Sequence, residues 1–349
     1  MNPSDLLRAA GDRFSIVSAF PAALVVLEIF ILVQSGAFSG RPDVHRLFVQ
    51  SKHLGAGSVL LLALSVFVLA LLLRPFQLSL VRLLEGYWGA SRAARFINEL
   101  VTRPRRRWFT TQLQRSKKGQ GLKAPALASG QRLEDHDRAL REFRKQRRRR
   151  AKADAVRLRY PRTADRVLPT ALGNALRSFE DTAGQRYGLE TIPAFRRLHP
   201  LMSDPLGRTY AANRLQLDSA ASLCVAFVVM TLVAIPPLAG DGWWQTLPFG
   251  TALLAWITYR GAIASALLMG RNVTTAFDLH RHDLITALHY QPAPDPALEY
   301  AFNRRLSQWL RGDDPNQRTA PQAMADDYCH PPAPADSTAA ESKAASNAS

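Results

Sequence analysis

Two arginine-rich segments carry the residues in this chain that are best suited to bind anions. The first is followed by aromatic residues, and the second is a run of four consecutive arginines. Guanidinium groups form charge-assisted hydrogen bonds with phosphate and carboxylate groups, so both segments predict contact with an anionic surface. The candidate lipid- or partner-binding residues are Arg103, Arg105, Arg106, Arg107, Trp108, Arg147, Arg148, Arg149 and Arg150.

Three interpretations of these basic segments compete. Each Lys or Arg close to an anionic leaflet contributes about 1 kcal/mol, which favours contact with lipid head groups of the inner membrane leaflet. The second interpretation is a solvated face whose charges only keep it inside the cell. The third is binding to nucleic acid or an acidic protein. We rank nucleic acid last, because no helix-turn-helix, zinc or RNA-recognition signature accompanies the basic segments.

Two adjacent acidic residues, Glu180 and Asp181, could be interpreted as an acid–base pair. Neighbouring side chains on a helix diverge by about 100°, so the two carboxylates would not converge on one substrate atom. We expect them instead to cap the surface or to pair with Arg186. The sequence therefore assigns no catalytic role to this pair.

Asp278, His282 and His289 could share one face of a helix, since they are separated by four and seven residues. Zinc sites normally use three or four ligands, with Cys or paired His predominating. No second ligand cluster accompanies these residues in the sequence. We therefore expect a solvated helix face with Asp–Arg and Asp–His pairs, and no metal or cofactor.

The sequence contains no Walker loop, Rossmann fingerprint, kinase signature or nucleophile elbow. Its two cysteines, Cys224 and Cys329, cannot provide a disulfide framework. We therefore expect a non-catalytic membrane scaffold or regulatory component that binds a protein partner or a second copy of itself. The alternatives are a channel or transporter subunit and, third, a membrane-bound hydrolase or transferase.

Four apolar stretches are long enough to cross a hydrocarbon core, which requires about 20 residues. They cover about 16–33, 54–73, 220–239 and a fourth stretch from 243 to either 259 or 268. The first could be a signal peptide, but its length and the charged Glu28 favour a retained span. The fold class expected is all-α and integral membrane, with two transmembrane hairpins flanking a basic helical domain.

The distribution of positive charge predicts the orientation. Residues 74–214 contain 32 Lys and Arg against 12 Asp and Glu, whereas the turn at 240–246 contains neither Lys nor Arg. Positive residues accumulate on the cytoplasmic side of spans. We therefore expect both termini and residues 74–214 in the cytoplasm, with Trp243 and Trp244 at the outer interface.

These patterns define six regions. They are a cytosolic N-terminus (1–13), hairpin 1 (14–73), a basic cytosolic domain (74–214), hairpin 2 (215–270), cytosolic helices (271–311) and a disordered tail (312–349). Within the basic domain, residues 75–88 predict either an interfacial helix or a cover for the domain's core. Residues 119–130 predict a loop, 131–159 a long exposed helix, and 168–170 the start of another helix.

Glu28 and Arg260 are the charges closest to the interiors of the spans. If span four reaches residue 268, an unpaired Arg260 would cost about 2.5–3.5 kcal/mol on insertion scales. An ion pair with Glu28 would then join the two hairpins. The simpler alternative, which we favour, ends span four at Tyr259 and lets Arg260 reach the inner head groups.

A set of short motifs resembles a family of uncharacterised bacterial multi-pass, four-span membrane proteins. The motifs are Leu168-Pro169-Thr170, Leu172-Gly173-Asn174, Glu180-Asp181, Gly184, Tyr187-Gly188-Leu189, Arg82, Leu84-Glu85-Gly86-Tyr87-Trp88 and Ala276-Phe277-Asp278-Leu279. The likeness covers most of residues 74–290. It implies a bacterial inner-membrane location, and it implies no activity and no site residue.

The predicted topology can be tested with alkaline phosphatase fusions, since this enzyme needs disulfides that form outside the cytoplasm. Fusions after residues 45 and 242 should be active, and fusions after residues 150 and 300 should be inactive, because the loop charges place them on opposite sides. Activity of the fusion after residue 150 would contradict the topology.

Overall fold

The computed structural model describes residues 19–52, 55–89, 91–118, 133–240, 242–312 and 328–329. Over these residues the fold is all-helical, apart from one isolated bridge between Tyr290 and Tyr328. The predicted all-α class is therefore confirmed. The helices are α1 (Phe20–Gln34), α2 (Val44–Lys52), α3 (Ala56–Leu73), α4 (Gln77–Glu85), α5 (Arg92–Lys118), α6 (Leu133–Arg157), α7 (Ala171–Glu180), α8 (Thr191–Leu198), α9 (Asp204–Leu238), α10 (Thr246–Ala287) and α11 (Pro296–Arg311).

Among the described residues, three helical segments are long and apolar enough to cross a membrane, which indicates a membrane protein. They are α3, α9 and the segment Gly242–Ala287 that contains α10. Helix α1 is equally apolar but has 15 residues, fewer than the roughly 20 that a perpendicular span requires. Residues 16–18 of the predicted first span lie outside the described residues. Three of the four predicted spans thus have membrane length.

Helix α3 exposes nearly all of its apolar surface. Leu60 and Leu61 are 70% and 66% exposed, and Ala70 is the buried residue of this helix. In water such a face would be costly, at about 25 cal/mol per Å² of apolar surface. The face is suited to contact with acyl chains.

The directions of the apolar helices follow from the residues that pack at their ends. Leu32, near the C-terminus of α1, clusters with Ala234 and Leu238 near the C-terminus of α9, and Trp244 packs against them. Helices α1 and α9 therefore run in the same direction, and α10 starts where α9 ends. Leu69 and Leu73, near the end of α3, line a cavity with Pro21 at the start of α1, so α3 runs oppositely to α1.

Helix α4 is joined to α7 by a very close backbone approach. A Cβ on Gly173 would lie 2.1 Å from the carbonyl oxygen of Glu85, so only glycine fits there. The hydroxyl of Thr170 donates to the same carbonyl at 2.7 Å and accepts from the N–H of Gly173 at 3.0 Å. Gly86 ends α4 with φ of 97°, a left-handed conformation that favours glycine.

The N-terminus of α7 is also tied to α10. The phenolic oxygen of Tyr259 accepts hydrogen bonds from the N–H groups of Ala171 and Leu172 at 3.1 and 3.2 Å. The side chain of Asn174 is fully buried and bonds both the N–H and the carbonyl of Leu168 at 2.8 Å. These contacts satisfy backbone groups that a helix start leaves unpaired.

The chain divides into two compact units. The first comprises the described residues up to Ala183 together with Ser203–Thr274, and the second comprises Gly184–Met202 and the described residues from Thr275 onward. In the second unit, α11 packs on α8 and on the turn Gln185–Tyr187. Its buried residues Phe302, Leu306 and Leu310 recur at helical spacing.

Several local expectations can be compared with the helices. The long exposed helix predicted at 131–159 is confirmed as α6, and the helix start at 168–170 is confirmed by the Thr170 cap. Helix α4 packs on α7 and α9 through one side and leaves Leu78 and Leu83 exposed, and its position in a membrane interface stays a prediction. The predicted loop at 119–130 and most of the tail at 312–349 lie outside the described residues.

Substituting Gly173→Ala should destabilise the protein by about 1–3 kcal/mol, because the new methyl group would overlap the Glu85 carbonyl. Gly207→Ala in α9 is the matched control, since no atom lies within 4 Å of its added Cβ. The control should be neutral or more stable, by up to ~1 kcal/mol. Thermal unfolding in detergent measures both, and equal stability of the two variants would contradict the packing.

Candidate functional site

The first basic segment lies within α5, where its arginines have different surroundings. Arg103 pairs with Glu99 at 2.9 Å, and Arg106 donates to the backbone carbonyl of Asp165 at 2.9 Å. Arg107 is exposed and Arg105 is half-buried. Two arginines of this segment, Arg103 and Arg106, therefore already form contacts within the protein.

The aromatic residues that follow this segment attach α5 to the chain after α6. Phe109 is fully buried and stacks on Tyr160 with ring centroids 5.2 Å apart. Trp108 is 44% exposed and lies 5.6 Å from the same ring. Trp108 therefore packs against Tyr160 with part of its ring and exposes the rest.

The second basic segment belongs to a longer cationic stripe along α6. Residues three, four, seven and eight positions apart lie on one helix face, and six such basic side chains line one shallow groove. The stripe consists of Arg141, Arg144, Lys145, Arg148, Arg149 and Lys152. Among the described residues, Lys145 is the stripe residue with a carboxylate nearby, Glu142 at 3.9 Å. The stripe is therefore a nearly uncompensated positive surface.

The run of four arginines is divided between two faces of α6. Arg148 and Arg149 belong to the stripe. Arg150 instead pairs with Asp154 at 3.5 Å, and Arg147 lies outside the groove. The structure thus brings half of this predicted cluster into the stripe.

Helix α6 runs antiparallel to α5 and extends beyond its end. Ser116 in the last turn of α5 donates to Asp154 in the last turn of α6 at 2.5 Å, and Phe109 contacts Tyr160. All six stripe residues lie N-terminal to Asp154, and all six are exposed. Its side chains are accessible to a large anionic partner.

The two candidate intramembrane charges are not paired. Glu28 is 4% exposed, and neither of its carboxylate oxygens has a hydrogen-bond partner among the described residues. Arg260 is exposed, and its guanidinium lies 5.8 Å from the ring centroid of Trp256. In this structure Arg260 therefore makes an aromatic contact on its own helix.

The expected partners of Arg186 were wrong. Arg186 pairs with Asp278 at 3.2 Å, and the hydroxyl of Tyr187 donates to the same carboxylate at 2.7 Å. Asp181 is buried and pairs with Arg166 at 2.8 Å. The contacts are between distant parts of the sequence, which helical spacing alone does not reveal.

The same contacts involve the helix face that carries Asp278, His282 and His289. Asp278 is held by Arg186 and Tyr187, while His280 pairs with Asp283 at 2.7 Å. Within the described ranges, no group of three or more His, Cys, Asp or Glu residues is placed to hold a metal ion. Asp278 thus acts as a structural acceptor in the second unit.

Glu85 lies at the end of α4 and has an altered pKa. Burial and, secondarily, the nearby carboxylate of Glu180 raise the pKa of Glu85 to about 7, although Arg214, Arg82 and Arg177 act to lower it. Burial also raises the pKa of Glu180. The joint between α4 and α7 therefore changes its charge near neutral pH.

Sequence reasoning missed four members of the stripe and the titration of Glu85. Arg141, Arg144, Lys145 and Lys152 could have been found by applying helical spacing to the basic residues as well as to the apolar ones. Glu85 gave no such signal, because its burial depends on α7, which is distant in sequence.

No family model, curated protein or solved structure matches this chain.

The raised pKa of Glu85 predicts a pH-dependent stability. The Glu85 carboxyl binds a proton more tightly in the folded state than in the unfolded state. Its contribution to the free energy of unfolding is therefore fully present below pH 4.5 and is lost as the pH rises through about 7. The wild-type melting temperature should fall between about pH 5 and pH 8, and Glu85→Gln should fall less. The exposed Glu134→Gln is the control, and it should retain the wild-type slope. Equal slopes in all three proteins would contradict the assignment.

Proposed function

We propose that this protein is a non-catalytic component of the bacterial inner membrane. It acts as a scaffold or regulator whose basic helices α5 and α6 bind anionic lipid head groups of the inner leaflet. The same region contacts a protein partner or a second copy of the chain. The observation that carries this proposal is the cationic stripe on α6, where six basic side chains share one face.

The stripe favours a repeating anionic surface over a compact substrate. Its first and last members, Arg141 and Lys152, are 11 residues apart, which corresponds to about 16 Å along a helix. Several phospholipid head groups can be contacted over this length. Each basic side chain near such a surface adds about 1 kcal/mol, and a chain that is anchored in the membrane needs little further attraction.

The membrane arrangement proposed is four spans in two hairpins with both ends in the cytoplasm. The alternating directions of α1, α3, α9 and α10 support an even number of crossings. The hydrogen bonds from the N-terminus of α7 to Tyr259 support an inner boundary of span four near that residue. The first proposed span covers about 16–33, so Glu28 lies inside it.

A channel or transporter subunit is the second candidate function. One observation favours it, namely the buried carboxyl of Glu28, which lacks a hydrogen-bond partner among the described residues. Ionisable residues inside membrane helices are costly and commonly mark ion or proton pathways. In that case Glu28→Gln would abolish transport, whereas the scaffold function would not require the carboxylate.

The lipid proposal can be tested in nanodiscs that contain full-length protein. A fluorophore on Gln146→Cys, in a Cys329→Ser background, should be quenched by head-group-labelled lipid when phosphatidylglycerol is present. The quenching should disappear as salt rises to about 1 M, where the Debye length is about 3 Å. Replacing Arg148 and Arg149 with Gln should weaken contact by roughly 2 kcal/mol, about 1 kcal/mol per charge.

The matched control replaces Arg147 and Arg150 with Gln, which removes the same charge from the same turns but leaves the stripe intact. The control should retain most of the quenching. Equal losses of quenching in the two variants would mean that lipid contact does not depend on the stripe. Absence of quenching in the wild-type protein would favour a solvated face. Displacement of the lipid by duplex or single-stranded nucleic acid would favour the third interpretation.

A further inference from the structure

A second cationic site lies in a cavity of about 490 Å³ in the first unit. The cavity is lined by α5, by the short helical turn Ala164–Arg166 and by α7. Five of its lining side chains are guanidinium groups, from Arg95, Arg103, Arg106, Arg166 and Arg177. None of the five belongs to the stripe on α6.

The floor of this cavity is built by polar side chains with fixed orientations. Thr102 is buried, and its hydroxyl donates to the side-chain oxygen of Asn98 at 3.0 Å. The amide of Asn98 donates in turn to the carbonyl of Gly86 at 3.4 Å. The cavity is thereby attached to the joint between α4 and α7.

Three of the five guanidinium groups have acidic or phenolic partners. Arg103 pairs with Glu99 at 2.9 Å and Arg166 pairs with Asp181 at 2.8 Å. Arg177 donates to the hydroxyl of Tyr87 at 2.7 Å. The contacts of Arg166 and Arg177 orient those two guanidinium groups, whereas the Arg103–Glu99 pair is exposed and weak. Each guanidinium has five N–H donors, so donors remain for a ligand.

The other two guanidinium groups form no salt bridge among the described residues. Arg106 donates one N–H to the backbone carbonyl of Asp165 at 2.9 Å, and no carboxylate pairs with Arg95. Two carboxylates also line the cavity: Glu99 is engaged by Arg103, and Asp165 interacts electrostatically with Arg166 and Arg106. The cavity therefore has an excess of positive charge and of unused donors.

We propose that this cavity binds a phosphate group, either from an anionic lipid head group or from a soluble phosphate compound. Arg95 and Arg106 supply guanidinium groups that form no salt bridge, and Arg103 and Arg166 supply further N–H donors. Planar guanidinium groups match the geometry of phosphate oxygens and bind them in a bidentate manner. The site shares no residue with the stripe on α6, but Arg103 and Arg106 belong to the α5 segment of the proposed lipid contact, so its lipid alternative rests on the proposed function.

The test uses full-length protein that has been purified and delipidated in a neutral detergent. Calorimetry measures the binding of inorganic pyrophosphate, and native mass spectrometry measures the retention of short-chain phosphatidylglycerol. Wild-type protein should bind at least one of the two probes. Arg95→Gln with Arg106→Gln should weaken that binding by about tenfold or more, because two charge-assisted contacts are lost.

The matched control is Arg92→Gln with Arg115→Gln, which removes the same charge from α5 at exposed positions outside the cavity. It should bind within about twofold of wild type, since the cavity donors are intact. If the Gln variant fails to fold, Arg95→Lys with Arg106→Lys retains the charge and loses the bidentate geometry. This variant should bind more weakly than wild type and more strongly than the Gln variant.

The outcomes separate the possible sources of the phosphate group. Loss of pyrophosphate binding specific to the cavity variant supports a soluble phosphate ligand, and loss of phosphatidylglycerol alone supports a lipid head group. Equal binding of both probes by the cavity variant and by its matched control would overturn the proposal. The absence of binding of either probe to the wild-type protein would overturn it as well.

Discussion

The N-terminus of α7 is held between the carbonyl of Glu85 at the end of α4 and the phenolic hydroxyl of Tyr259 in α10. The approach is so close that Gly173 has no space for a Cβ. The basic helices are then positioned from this point, because Ser178 of α7 donates to the carbonyl of Leu158 just after α6. Arg106 of α5 contacts Asp165, which lies just before α7. The register between the apolar helices and the basic helices therefore depends on this joint.

The same joint contains a half-buried carboxyl group. Burial disfavours the ionised form of Glu85, and the arginines around it offset only part of that cost. Nearby Glu180 adds a like charge, so the two acids cannot both ionise without penalty. The joint is stable because its backbone groups are satisfied by Thr170, Tyr259 and Asn174, and these hydrogen bonds do not depend on the state of Glu85. Protonation of Glu85 thus adjusts the strength of the contact without defining its geometry.

The sequence predicted the elements of this fold better than their contacts. The helix start at 168–170, where Thr170 caps α7, was visible because helix initiation and capping are determined by residues within four positions. The pairing of Arg186 with Asp278 and of Asp181 with Arg166 was not visible, since each joins residues brought together only by folding. The short length of α1 and the existence of α2 were missed for a related reason, because hydropathy identifies apolar segments but not where a helix begins. The stripe on α6 was partly recognised, as a run of adjacent charges instead of a helix face.

The distribution of arginines argues for an external anion. Exposed pairs such as Arg103–Glu99 and Arg150–Asp154 contribute at most about 1 kcal/mol each, so they do not explain why the chain carries so many positive charges. Like charges four residues apart on a helix are destabilising, and the stripe on α6 places Arg141, Lys145 and Arg149 at that spacing. Few carboxylates in the described residues compensate for this repulsion, since Glu142 approaches Lys145 alone within the stripe. A negatively charged surface or ligand would remove the repulsion and stabilise the helix at the same time, which connects the stability of α6 to the occupancy of its positive face.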